Sequence, residues 1–256
     1  MLKVIEHPLS PYAQKVKLAL HYKNLEFETE TPAIGTDTEA FNLSSPRGEV
    51  PVFQHDGLML YDSAIIGGYI EEQWPEQPLF PQTPVDRANA RLIEDAMDTH
   101  FEGNTWGLGE VHVFGRAQGA RAKQMTTYAV EQIQGWYRWL DSKLDADWFN
   151  GDAYGYADLC VLPFVNGAGR FDMLPQQGSK LSIWLARINE RDDVKIVTSQ
   201  ARAAELDPET MQSAVASGFK REYRDHRLEW MIRAGGIDIV AKGIEQDNIR
   251  FNENFH

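Results

Sequence analysis

The residues best placed to do chemistry in this chain stand at two helix beginnings. Ser10-Pro11 precedes one apolar helical pattern and Asp62-Ser63 precedes another. A short oxygen-bearing side chain at such a point caps free backbone N–H groups, and the helix start carries a partial positive charge that can hold an anion. Pro11 pre-sets the helical φ. Between the two, Val50-Pro51 opens a strand-like run; a proline there cannot donate to a ladder and belongs at a first strand position or in a special turn, cis included. The single cysteine, Cys160, excludes an internal disulfide, a Cys-x-x-Cys redox pair and a multi-cysteine zinc site. His7, His21 and His55 read as incidental surface groups, and no two histidines share metal-ligand spacing, so no metal is expected.

These positions need a scaffold. Residues 2–6 read as a strand, 13–23 as a helix with Val16, Leu18, Ala19 and Leu20 on its apolar side, and 25–30 as a second strand. That order at this spacing is a βαβ unit with parallel strands. Val52 and Phe53, the turn Asp56-Gly57 and residues 58–61 form a hairpin, because both central positions of the favoured turn need φ > 0. Ser63 is the expected cap of a helix over 64–72. Residues 31–45 are a connector with one helical turn near 39–43. Pro75, Pro78, Pro81 and Pro84 make a breaker-rich linker, which places a boundary near residue 80. Beyond it the pattern is helical: 87–101, 120–144, 156–171 with an interruption at Pro163, and 181–190. The segment 103–119, with five glycines, reads as a loop or a broken helix, and residues 192–256 as two or three further helices. The expected architecture is α+β over residues 1–80, all-helical over 86–200, and a helical extension over 201–256.

Val-Pro, hairpin and Asp-Ser at this spacing resemble the N-terminal, thioredoxin-like domain of the cytosolic glutathione S-transferase superfamily. Further on, Gly155-Tyr156-Ala157-Asp158 resembles the capping motif of that family's central helix, with Gly155 where Ser or Thr is usual. The resemblance covers roughly residues 1–200. It implies that glutathione is the cofactor, that Val50, beside Pro51, pairs with its main chain, and that Asp62 and Ser63 hold its γ-glutamyl end. Ser10-Pro11-Tyr12 matches the place where related classes carry Ser or Cys, then Pro and an aromatic. A thiol is mostly protonated at neutral pH and only its thiolate is a good nucleophile, so Ser10 is the candidate thiol-activating residue, or else only a cap. A serine there excludes mixed-disulfide chemistry at this position. Relatives often place Lys, Arg or Gln before Val-Pro for the glycyl carboxylate; Glu49 has the wrong charge, and Arg47 or Lys15 would have to substitute. The electrophile pocket is expected between the domains, lined by Leu9, Tyr12, Trp106, His112 and Phe114, with Trp106 and Phe114 equally readable as core anchors. Asp158 is expected to be structural.

A hydrophobic content of 43% supports a substantial core. A net charge of −13 argues against nucleic acid and anionic membrane surfaces as partners. The first residues lack a signal-like apolar run, and no run reaches the roughly 18 apolar residues of a membrane span, so a cytoplasmic protein is expected. A homodimer is what the resemblance implies. The extension is locally basic over 219–234, with an apolar side, and is expected to pack on the chain's own body or on a second subunit. It acts either as a buttress or as a lid bringing Tyr223, Arg227 or Trp230 to the substrate. The leading expectation is a transferase whose thiolate attacks an apolar, aromatic electrophile, dehalogenation and aromatic ether cleavage included; the alternative is a non-catalytic interaction module on the same scaffold.

Overall fold

The computed structural model describes residues 1–32, 45, 48–219 and 226–249. Its first part is a four-stranded sheet in the order β2-β1-β3-β4, built from β1 (Leu2–Ile5), β2 (Glu28–Glu30), β3 (Val52–His55) and β4 (Leu58–Tyr61). β1 and β2 are parallel and the other neighbours antiparallel. Asp56 and Gly57 both take positive φ, 47° and 88°, as the tight hairpin requires. β2 is shorter than the sequence pattern suggests. The Leu25 N–H bonds to the Leu20 carbonyl, and Leu25 and Phe27 pack on the core instead of joining the sheet.

Helices α1 (Pro11–Tyr22) and α2 (Ser63–Gln73) belong to this part. The rest of the described chain is helical: α3 (Pro84–Ala96), a π-helical turn (Met97–Phe101), α4 (Glu102–His112), α5 (Gly119–Lys143), α6 (Tyr156–Gly169), α7 (Lys180–Ile188), α8 (Asp192–Ala203), α9 (Pro208–Ala216), α10 (His226–Arg233) and α11 (Ile237–Glu245). α1 packs on α2, α6 and α8, which explains why Ala13, Val16, Leu18, Ala19 and Leu20 are all buried. α6 is the apolar centre, with Leu159, Cys160, Val161 and Val165 fully buried.

Of the loop and the broken helix expected over 103–119, the structure has the second: residues 102–112 are helix despite their glycines, joined to α3 through the π turn, because α4 packs along α5 and buries Leu108 and Val111. Two expectations change. Pro163 lies inside α6 without ending it. The region after residue 191 holds four described helices, not two or three, and the first of them, α8, is part of the body packed on α1. The helical turn expected near 39–43 lies outside the described residues.

The proline-rich linker is held by buried charge. Glu71 accepts from the Leu79 N–H (2.9 Å) and Phe80 N–H (3.2 Å), and Lys23 pairs with Glu71 (2.9 Å) while donating to the carbonyls of Trp74 and Gln77. The start of α6 is held by Asp158, whose carboxylate accepts from the N–H groups of Phe149 and Gly155 and from the Trp184 indole at 2.7 Å. Burial pushes its carboxyl up to about 6, against those three donors. Gly155 has no side chain to cap with, and the packing shows why. A Cβ there would stand 2.8 Å from the Leu79 carbonyl oxygen and 1.9 Å from the Asn150 amide nitrogen.

Candidate functional site

Strand register gathers the candidate residues. Ile5 pairs with Val52, and Val52 pairs with Tyr61. The chain therefore leaves β1 toward Ser10, enters β3 from Val50-Pro51 and leaves β4 into Asp62, all at one end of the sheet.

Ser10 is the N-cap of α1. Its Oγ accepts from the Ala13 N–H at 3.3 Å, and its own N–H bonds to the His7 carbonyl. A hydroxyl that accepts through its lone pair keeps its proton to donate. The helix begins at Pro11, two residues before the sequence pattern suggested, because proline supplies a helical φ where no N–H is needed. At the second helix start, the cap is Asp62 and not Ser63. Asp62 has φ 76°, and its Oδ1 accepts from the N–H groups of Ala64 (3.0 Å) and Ile65 (3.4 Å). Ser63 becomes the first, buried residue of α2. The Val50-Pro51 bond is cis. The Glu49 N–H donates to Ser45 Oγ at 2.8 Å. Arg47 lies outside the described residues.

Lys15 is not available to a ligand. Its Nζ is 2.9 Å from Glu94 and 2.6 Å from Asp98, and its side chain is 4% exposed. Glu94 also accepts from the Tyr156 hydroxyl at 2.6 Å. Tyr12 completes the junction by donating its hydroxyl to the Asp98 carbonyl at 2.8 Å, with its ring edge-on to Phe164. The π turn and α3 thus grip α1 one turn below Ser10. Burial raises the Asp98 carboxyl to about 6 in spite of Lys15. Burial opposes the Lys15 ammonium, but Cys160, Asp98 and Glu94 outweigh it, and its pKa lies above the ordinary lysine value. This cluster went unread in the sequence; the available signal was a lysine within the apolar run of α1.

Beside Ser10 lies a cleft of about 540 Å³. Leu9 and Pro11, which flank the serine, form one wall; Trp106 and Phe114 of the α4 region form another; Phe164 and Phe171 are also in the lining. Leu9, Trp106 and Phe114 are therefore lining residues, whereas Tyr12 and His112 are not among them. His112 lies instead 3.1 Å from the Thr126 hydroxyl. Arg170, just past the end of α6, and Arg202, Glu205 and Leu206, at and beyond the end of α8, also line the cleft; sequence reading missed them because both helix ends reach it only through tertiary packing. Tyr223 lies outside the described residues. Arg227 and Trp230 do not line the cleft. Trp230 is 67% exposed and Ile232 51%, so α10 leaves these apolar side chains uncovered by the chain's own body.

A cis-Pro turn, a hydroxyl capping the first helix and a capped second helix, all at one end of a β2-β1-β3-β4 sheet and followed by a helical part, define a thioredoxin-like domain joined to an all-helical one. Residues 4–78 match the family model described as "Glutathione S-transferase, N-terminal domain", and residues 96–192 match "Glutathione S-transferase, C-terminal domain". The chain belongs to the glutathione S-transferase superfamily. It is 29% identical over 202 residues to Glutathione S-transferase U28 of Arabidopsis thaliana, covering 75% of this chain and 85% of that protein. Among solved structures, a glutathione S-transferase from Rhodospirillum rubrum F11 superposes with a TM-score of 0.69 at 27% identity, covering 77% of this chain and 91% of that one. Beta-etherase LigF from Sphingobium sp. strain SYK-6 shares the fold, with a TM-score of 0.66 at 24% identity, covering 78% of this chain and 99% of that one. Among the described residues no helix is long and apolar enough to cross a membrane.

Proposed function

We propose that this family member is a working glutathione transferase in which Ser10 stabilises the glutathione thiolate for attack on an apolar, aromatic electrophile. The observation that carries the reading is the Ser10 cap: a hydroxyl that accepts from the backbone and donates to none of the described residues, at a helix N-terminus, between two residues that line an aromatic cleft. A donor and a helix start both favour the anion over the thiol. Val50 beside cis Pro51 offers backbone groups to the peptide, Asp62 takes the γ-glutamyl ammonium, and Ser63, at the start of α2, takes its carboxylate. Carbon–halogen and aryl-ether bonds are both open to this attack. We assign the glutathione domain to residues 1–80, the substrate domain to 86–200 and the extension to 201–256. The working form is a homodimer in a reducing cytoplasm, and exposed Met59, Ile65 and Leu92 offer apolar surface for it.

Titrating the ultraviolet absorbance of bound thiolate against pH tests the proposal. Ser10→Ala removes a hydrogen bond to a charged group, worth about 1.5–3 kcal/mol, so the bound thiol pKa should rise by about one to two units. An unchanged curve removes Ser10 from the mechanism. The non-catalytic reading gains from Glu49 and from the engagement of Lys15, which takes up one of the two cations, Lys15 and Arg47, expected to serve the glycyl carboxylate. Calorimetry with glutathione separates the two readings, since an interaction module needs no glutathione affinity.

A further inference from the structure

The cleft beside Ser10 has an apolar floor and charged residues at its edges. Phe114 and Phe164 are buried in the floor. At the rim, Arg170, just past the end of α6, lies 3.3 Å from Glu205, so these two offset each other. Arg202, in the last turn of α8, also lines the cleft and has no ion pair with any described residue. Asn166 in the lining is taken up by reciprocal hydrogen bonds with Asn189. Glu102, at the start of α4, is the other charged residue of the lining, set on a different element from the Arg170–Glu205 pair.

We propose that the acceptor of this enzyme is an aromatic electrophile that carries a carboxylate, its ring on the Phe114–Phe164 floor and its carboxylate on Arg202. The inference rests on the transferase reading of the same cleft, and it names the substrate class within that reading. The physical reason is local. A planar guanidinium matches a carboxylate through two parallel N–H···O bonds. An aromatic floor edged by one arginine, Arg202, that makes no ion pair with a described residue favours a flat body with a single anion at one end. The overall charge of −13 opposes anionic ligands at long range, so recognition must come from a cation close to the bound group, where screening is least.

Equilibrium binding of an unreactive pair tests this without turnover. Para-nitrobenzoate and nitrobenzene, which share the ring and differ in the carboxylate, are titrated by calorimetry into the full-length protein, with glutathione present. The parent should bind the benzoate about fivefold more tightly than nitrobenzene, the size expected of one partly exposed ion pair. Arg202→Gln should bring the two affinities within about twofold of each other, and Arg202→Lys should recover part of the difference. Equal affinities in the parent, or a preference that survives Arg202→Gln, overturns the proposal. Failure of the transferase reading shows elsewhere, in the absence of a bound-thiolate absorbance, and the two failures are therefore distinct.

Discussion

Lys15→Met removes the one cation that, among the described residues, pairs with Glu94 and Asp98 across the junction between α1 and the helical part. The three side chains are 4%, 7% and 16% exposed, with Nζ 2.9 Å from one carboxylate and 2.6 Å from the other. Methionine fills much of the same space, so the change is one of charge and not of volume. Breaking a buried pair by removing one partner costs about 3–5 kcal/mol, because the other charge is stranded. Here two carboxylates are stranded, and Asp98 already sits at about 6 with the lysine present. Without it the Asp98 carboxyl rises further in the folded state and holds a proton that the unfolded chain gives up at about 4. The variant's folded form then binds more protons than its unfolded form, so its stability falls as pH rises through the raised Asp98 value. The deficit should be about 3–5 kcal/mol at pH 8, or ~10 °C in Tm for a chain of this size, and smaller at pH 5. Urea unfolding followed by tryptophan fluorescence at both pH values measures it. Adding Glu94→Gln and Asp98→Asn should return part of the loss. A deficit below about 1 kcal/mol at pH 8, or one of equal size at pH 5, would refute the account of the junction.

Two further changes probe the helix starts. Gly155→Ser introduces a better N-cap residue, yet the Cβ must meet the Leu79 carbonyl, so urea unfolding should show a loss of about 1–3 kcal/mol and not a gain. A stabilised variant would mean that the chain around Leu79 yields freely. Asp62→Asn keeps the cap and tolerates the positive φ, so stability should hold within about 0.5 kcal/mol while glutathione affinity, read by calorimetry, falls by about tenfold or more with the lost charge. Unchanged affinity would place the γ-glutamyl end elsewhere.

Local chemistry explains what the sequence by itself determined. The Asp56-Gly57 turn, the strands on either side of it, the proline-marked linker and the order of strand and helix follow from φ preferences and apolar spacing, which act within a few residues. Ser10, Val50-Pro51 and Asp62-Ser63 were legible for the same reason, each marking the start of an element. Glycine spacing left residues 103–119 open between a loop and a broken helix; packing of α4 on α5 decides for helix over 102–112, with the break after it. What only the tertiary structure decided depends on groups far apart in sequence. Lys15 meets Glu94 and Asp98 across the junction, and the Leu79 carbonyl forbids a side chain at Gly155. The end of α8, with Arg202, becomes a rim of the cleft beside Ser10. A residue's spacing along its own helix shows which side it occupies, but not which charge will stand opposite, because that is set by how the helices pack.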